Sequence, residues 1–299
     1  MNNKVNFSRL FKTANIISIL AVIISISFLF FKGLNYGVDF KGGTLLEIRI
    51  SDYNIKIKDV RNSLDIPELG DVSVKEFGKE GDFLIKFEKN SNEDEKFIPE
   101  LKTRISNKIG SEVNFRRVET VGPKVSSELL KKGVTAISLS LVAMLFYIWI
   151  RFEWQFSLGS IIALFHDVII TLGLFSILSF EVNLSIVAAV LTIVGYSMND
   201  TVVIYDRIRE NLLKYSKINT NEIANISVNE TLSRTIITSL TTLLALGSIF
   251  ILGGEILRGF SFAMILGVLI GTYSSIFVAS PVLNYFKVTQ KTLLKEEKL

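Results

Sequence analysis

The side chains able to carry charge or protons away from water fall into three short stretches of this 299-residue sequence. The first is IVGYSMNDTVVIYDRIREN, residues 193–211, which begins as a membrane helix and ends as a charged loop. Asp200 lies in its apolar part, six residues before Asp206 and so about 9 Å inside the end of the helix. A carboxylate near a helix centre in lipid costs about 2.5–3.5 kcal/mol, and ionisable groups kept at that cost are functional by default. Tyr196 shares the face of Asp200, and Gly195 and Asn199 form the neighbouring row. Asp206 is rotated away and reads as a charge at the membrane boundary. The second stretch, FHDVII, sets His166 and Asp167 about 15 Å along an apolar helix, where both can carry protons or hold helices together. In the third, TLSRTIITSLTT, Arg234 enters an apolar segment, with Thr231, Thr235, Thr238 and Thr241 or Thr242 at helical spacing. Those hydroxyls either bond back to their own helix or line a hydrated face opposite Asp200. An Asp200–Arg234 pair is expected to be poised for proton loading and release, since desolvation and a neighbouring guanidinium act on a carboxyl in opposite senses.

Such chemistry needs a membrane scaffold. Mean hydropathy is +0.42 and 49% of residues are hydrophobic, too apolar for an ordinary soluble enzyme. Six segments reach spanning length: 14–31, 134–150, 156–180, 182–205, 232–252 and 260–286. The first reads as a retained anchor. Basic residues at the N-terminus (Lys4, Arg9, Lys12), near Arg151, after the fourth span (Arg207, Arg209, Lys214, Lys217) and at the C-terminus (Lys287, Lys291, Lys295, Lys298) put both termini in the cytoplasm, with Lys32, Lys131 and Lys132 as exceptions. Cysteine is absent and histidine occurs once, so thiolate chemistry and His-rich metal sites are excluded. The net charge of +4 reads as topology rather than nucleic-acid binding: the polar insert 36–130 holds 16 basic and 18 acidic residues, so the basic excess belongs to the spans and their loops.

The insert, about residues 35–130, is long enough for a domain of its own and is expected outside the cytoplasm. TLLEIRI alternates as a strand. IKIKDVRNSLDI has helical spacing, with Ile57, Val60 and Leu64 on one side. VSVKEF and DFLIKFE are strands around a turn at 78–82. EDEKFIPELKTRISNKI is a helix interrupted by Pro99, and EVNFRRVETV a last strand. The order β-α-β-β-α-β is ferredoxin-like. The expected fold is therefore a polytopic α-helical membrane protein of six transmembrane helices, with one extracytoplasmic α+β ferredoxin-like domain between spans 1 and 2. Its divisions fall at 1–34, 35–130, 131–286 and a basic tail, 287–299. NYGVDFKGGT, carrying Tyr36, Asp39, Gly42 and Gly43, is a turn from the first span into the first strand. GVLIG, with Gly267 and Gly271, allows close helix approach in the sixth span. No phosphate loop, zinc motif or Ser–His–Asp set is present.

NYGVDFKGGT, FHDV, IVGYSMNDTVVIYDRIREN, TLSRTIITSLTT and GGEILRGFSFAMILG, in this order, resemble the SecF branch of the SecD/SecF family of Sec protein-export membrane proteins, within the resistance-nodulation-division superfamily. The resemblance implies a bacterial cytoplasmic (inner) membrane subunit with a six-span SecD partner in a pseudo-symmetric twelve-span unit. It further implies work with the SecYEG channel, SecA and YajC on an emerging preprotein, late in export and driven by the proton gradient. It places Asp200 and Arg234 in a proton-conducting region, and implies lipid surroundings, no cofactor, no metal and no enzymatic activity of its own. Two other readings are a proton-driven efflux half of the same superfamily and a subunit that only stabilises its complex.

Overall fold

The computed structural model describes residues 5–52, 54–76, 79–88, 97–215, 218–286, 288–290 and 292–293, and only the backbone at 255 and 256. Lys4, Lys217, Lys287, Lys291, Lys295 and Lys298 lie outside the described residues, as do part of the 78–82 turn and most of the 287–299 tail. The chain divides into a helical unit, Met1–Asn35 with Thr135–Leu299, and a sheet unit, Tyr36–Val134.

Among the described residues, six helices are long and apolar enough to cross a membrane: Phe11–Phe31, Pro123–Arg151, Trp154–Leu178, Leu184–Lys214, Thr220–Leu252 and Leu257–Tyr285. Helices suit lipid because they satisfy every backbone group internally. Their ends are closed locally. Ser179 follows the third span in the left-handed region (φ 56°), and its N–H bonds to Ser176 O at 3.2 Å. Asn183 and Asn219 cap the fourth and fifth spans by accepting from the N–H groups of Ile186 (3.2 Å) and Glu222 (2.9 Å).

The sixth span packs against the third, fourth and fifth, and the first against the third. Small residues set these approaches. A Cβ on Gly271 would stand 2.9 Å from Ser197 Cβ, one on Gly267 would meet Ile193, and one on Gly173 would lie 2.8 Å from Ser25 Cα. The second span leaves Leu139, Val142 and Ile150 exposed and buries Ile148. Near its end the sixth span widens into a π-helical stretch, Ser275–Ala279, just before Pro281. Proline has no N–H to continue the ladder. Ser280 Oγ donates to Ser275 O at 2.8 Å and Tyr205 OH to Ala279 O at 3.0 Å, so side chains take up carbonyls there.

Several expected boundaries move. The fourth helix runs on through the charges to Lys214, and the fifth starts at Thr220 rather than 232. The 193–211 stretch is therefore helical to its end, not a loop: charges end a membrane span but not a helix. The second helix begins at Pro123, and a proline suits a first turn, where an N–H has no partner anyway.

In the sheet unit, strands β1 (Gly43–Ile50), β2 (Val72–Glu76), β3 (Asp82–Phe87) and β4 (Val113–Val121) form one antiparallel sheet in the order β2-β3-β1-β4. Helices α1 (Ile57–Ser63) and α2 (Phe97–Ile109) complete the ferredoxin-like pattern. Alternation drives the core: Leu46, Ile48 and Ile50 of β1 and Phe83 and Ile85 of β3 pack with Val60, Leu64, Leu101 and Ile105. Pro99 sits in the first turn of α2 and does not interrupt it.

Candidate functional site

Asp200 is 3% exposed on the fourth span. Among the described residues its one side-chain hydrogen bond comes from Thr272 Oγ1 of the sixth span, at a long 3.5 Å. Thr272 in turn shares a 2.7 Å bond with Ser239 of the fifth. The carboxyl is thus buried and loosely held, whereas most buried carboxylates carry short, charge-assisted partners.

The expected Asp200–Arg234 ion pair is not formed in this structure. Arg234 is exposed, and none of the ion pairs among the described residues joins it to Asp200. The reason is axial. Ser239 reaches the Asp200 level through Thr272, and Arg234 lies five residues earlier, about 7.5 Å along the same helix. Most hydroxyls of the expected stripe bond back to their own helix: Thr231 to Ser227 O, Thr238 to Arg234 O, Thr241 to Ile237 O and Thr242 to Thr238 O. Thr235 Oγ1 is buried with no partner among the described residues, as is Tyr196 OH. Gly195 has open space where a Cβ would stand, and Asn199 is exposed beside it.

His166 and Asp167 belong to a second buried cluster. Asp167 is 0% exposed. Its Oδ1 lies 2.8 Å from His166 Nδ1, and its Oδ2 accepts from Ser197 Oγ (2.6 Å) and Ser274 Oγ (2.8 Å). One carboxyl therefore joins the third, fourth and sixth spans. Below it, Thr201 Oγ1 and Ser275 Oγ share a 2.8 Å bond at the start of the π-helical stretch. Sequence reasoning missed Ser197, Thr272, Ser274 and Ser275. Each reads singly as a small residue, and only the three-helix contact reveals its partner. For the sixth span, the recurrence of Thr272, Ser274 and Ser275 just after Gly271 was the available signal; Ser197 carried none.

Asp206 is half-exposed and pairs with Arg151 at 3.0 Å, joining the end of the second span to the fourth. Nearby, Arg207 bonds Glu230 at 2.7 Å and Arg209 reaches Glu153 at 3.2 Å.

The NYGVDFKGGT segment is a single helical turn, Val38–Lys41, between special backbones. Tyr36 stacks edge-on against Phe40. Gly42 has φ +83° and Gly43 φ +111°, where a Cβ would stand 2.5 Å from Phe87 O. Only glycine suits both demands.

Residues 101–289 match the family described as protein export membrane protein SecD/SecF, C-terminal, and residues 27–52 match the SecD/SecF GG motif. The chain is 44% identical to protein translocase subunit SecF of Rickettsia rickettsii over 95% of this chain and 93% of that one. It is 45% identical to the subunit of the same name from Rickettsia akari, with the same coverage. Among solved structures it is similar to SecDF, a translocon-associated membrane protein from Thermus thermophilus (TM-score 0.85, 35% identity, 96% of this chain). A SecDF in a super-membrane-facing form gives a TM-score of 0.71 at 34% identity over 100% of this chain. The chain spans only 39% and 41% of those two SecDF chains.

Proposed function

Because the chain belongs to the SecD/SecF family of protein export membrane proteins, we propose that it uses the proton-motive force, together with a SecD-type partner, to drive late steps of preprotein export. Asp200 is the proton-carrying group. The observation that supports this is its burial with a single long hydrogen bond and no cation in contact among the described residues. Such a carboxyl can gain or lose a proton without breaking a strong bond.

Arg234 supplies the second half of the reading. An arginine facing lipid at depth costs about 2.5–3.5 kcal/mol, so its exposed side chain needs water or a polar neighbour. A wetted seam against the SecD-type partner meets that need, with Gly195 and Asn199 on the same seam. In one state an ionised Asp200 attracts Arg234; in the other, neutral Asp200 rests on Thr272 with Arg234 apart. Exchange between the two packings moves the domain 35–130, which lies outside and pulls the emerging preprotein or blocks its return. Each charge crossing 100 mV releases roughly 2.3 kcal/mol, which biases a two-state equilibrium roughly fifty-fold. Both termini and the 287–299 tail face the cytoplasm of the inner membrane, and SecYEG, SecA and YajC complete the machinery.

Preprotein export in membrane vesicles with an imposed proton gradient tests this. Asp200→Asn keeps the complex assembled and loses the gradient-dependent part of export. Under a purely structural role the same variant exports normally.

A further inference from the structure

We infer that His166 and Asp167 form a second proton-binding site, distinct from Asp200, in which imidazole Nε2 takes the proton. His166 is the only histidine of the 299 residues and is 5% exposed. Its Nδ1 lies 2.8 Å from Asp167 Oδ1. The other carboxylate oxygen, Oδ2, accepts from two serines, Ser197 at 2.6 Å and Ser274 at 2.8 Å. A carboxyl with two hydroxyl donors on one oxygen and an imidazole on the other is placed as an acceptor throughout. The hydrogen of the imidazole contact therefore belongs to Nδ1, and this fixes the tautomer. Nε2 is left as a bare lone pair. It is buried and has no hydrogen-bond partner among the described residues.

A proton added at Nε2 turns the imidazole into an imidazolium and breaks no existing bond. The pair passes from net −1 to net zero, and its charges stay in contact. The groups around it are few. From the sixth span Tyr273 stacks its ring on the imidazole (centroids 6.1 Å apart, 23° between planes), a face that favours a cationic ring. The Tyr273 hydroxyl is already engaged with Ala14 O at 2.8 Å and Ser18 Oγ at 3.0 Å of the first span. That span brings buried Ser18 to this region, and its one ionisable residue, Lys12, is exposed. From the fourth span comes Ser197, with Asp200 three residues on and turned to Thr272. Among the described residues, no lysine or arginine pairs with Asp167.

The two acids flank one turn of the sixth span: Asp167 holds Ser274, and Asp200 faces Thr272 two residues earlier. A charge change on His166 thus acts on the helix turn that contacts Asp200. This role in transport rests on the proton-driven reading above; the proton site itself does not.

A single histidine gives a single pair of ring-nitrogen signals. The chain, labelled with 15N-histidine and assembled with its SecD-type partner in lipid nanodiscs, is titrated from about pH 9 to about pH 5, the range in which imidazoles charge. The expected result is a neutral ring protonated at Nδ1 that converts to imidazolium on acidification, in wild type and, at a shifted midpoint, in Asp200→Asn as well. A ring protonated at Nε2 at high pH, or one that stays neutral throughout, overturns the site. In gradient-driven vesicle export, His166→Gln keeps a donor for Asp167 but cannot take up a proton, and a loss of at least about ten-fold is expected. Normal export by an assembled His166→Gln complex overturns the transport role. If Asp200→Asn exports normally while His166 still titrates, the proton-driven reading falls and the site stands.

Discussion

Ser197 Oγ donates to Asp167 Oδ2 across 2.6 Å, tying the fourth span to the third one turn before Asp200. Ser274 makes the matching bond from the sixth span. Removing one donor leaves a fully buried carboxylate short of a partner, a loss of roughly 1.5–3 kcal/mol for a hydrogen bond to a charged group. Ser197→Ala and Ser274→Ala should each lower the unfolding midpoint of the detergent-solubilised chain, and the double variant should deviate from the sum of the two. Midpoints unchanged in both would show that the cluster holds nothing together.

The glycines of the fourth and sixth spans should separate packing from partner contact. Gly271→Leu drives a side chain into Ser197 and should cost about 1–3 kcal/mol, as overpacking does. Gly195→Leu meets open space. It should leave the isolated chain's stability intact and weaken co-purification of the SecD-type partner. Equal loss of stability in both variants would contradict the assignment of Gly195 to the seam.

Asp206 and Asp200 stand six residues apart on one helix, yet their substitutions should differ sharply. The Arg151–Asp206 pair is solvent-exposed at 3.0 Å, and pairs of that kind are worth about 0.2–1 kcal/mol. Asp206→Asn should leave gradient-driven export near wild type. A loss as deep as that of Asp200→Asn would move the functional acid to the helix end.

In the sheet unit, Gly43→Ala places a methyl against Phe87 O at a positive φ. Strain of this kind costs about 1–3 kcal/mol. Limited proteolysis of the full chain should then cut more readily within β1 and β3 than in wild type. An unchanged digestion pattern would show that the strand tolerates the side chain.

The sequence carried the architecture further than the contacts. Apolar runs located all six spans, and alternation located β1 and β3, because burial writes those periods directly into residue type. Helix ends were less legible: Asp206, Arg207 and Glu210 signal water, yet the helix whose apolar run ends at Tyr205 keeps its hydrogen bonds to Lys214. Asp200 was visible because an acid in an apolar run has few explanations. That it makes no direct ion pair with Arg234 was not, because spacing gives depth within each helix but not the axial offset and rotation of one helix against another. Ser197 and Ser274 were hidden for the same reason. The π-helical stretch had one local signal, Pro281 in the last turns of an apolar helix.

The most direct measurement is gradient-dependent preprotein export by membrane vesicles carrying Asp200→Asn in an assembled complex, beside wild type. The expected result is that export in the absence of a gradient is equal in the two and that the increment produced by an imposed proton gradient disappears in Asp200→Asn. A wild-type increment in the variant would contradict the assignment of Asp200 as the proton-carrying group.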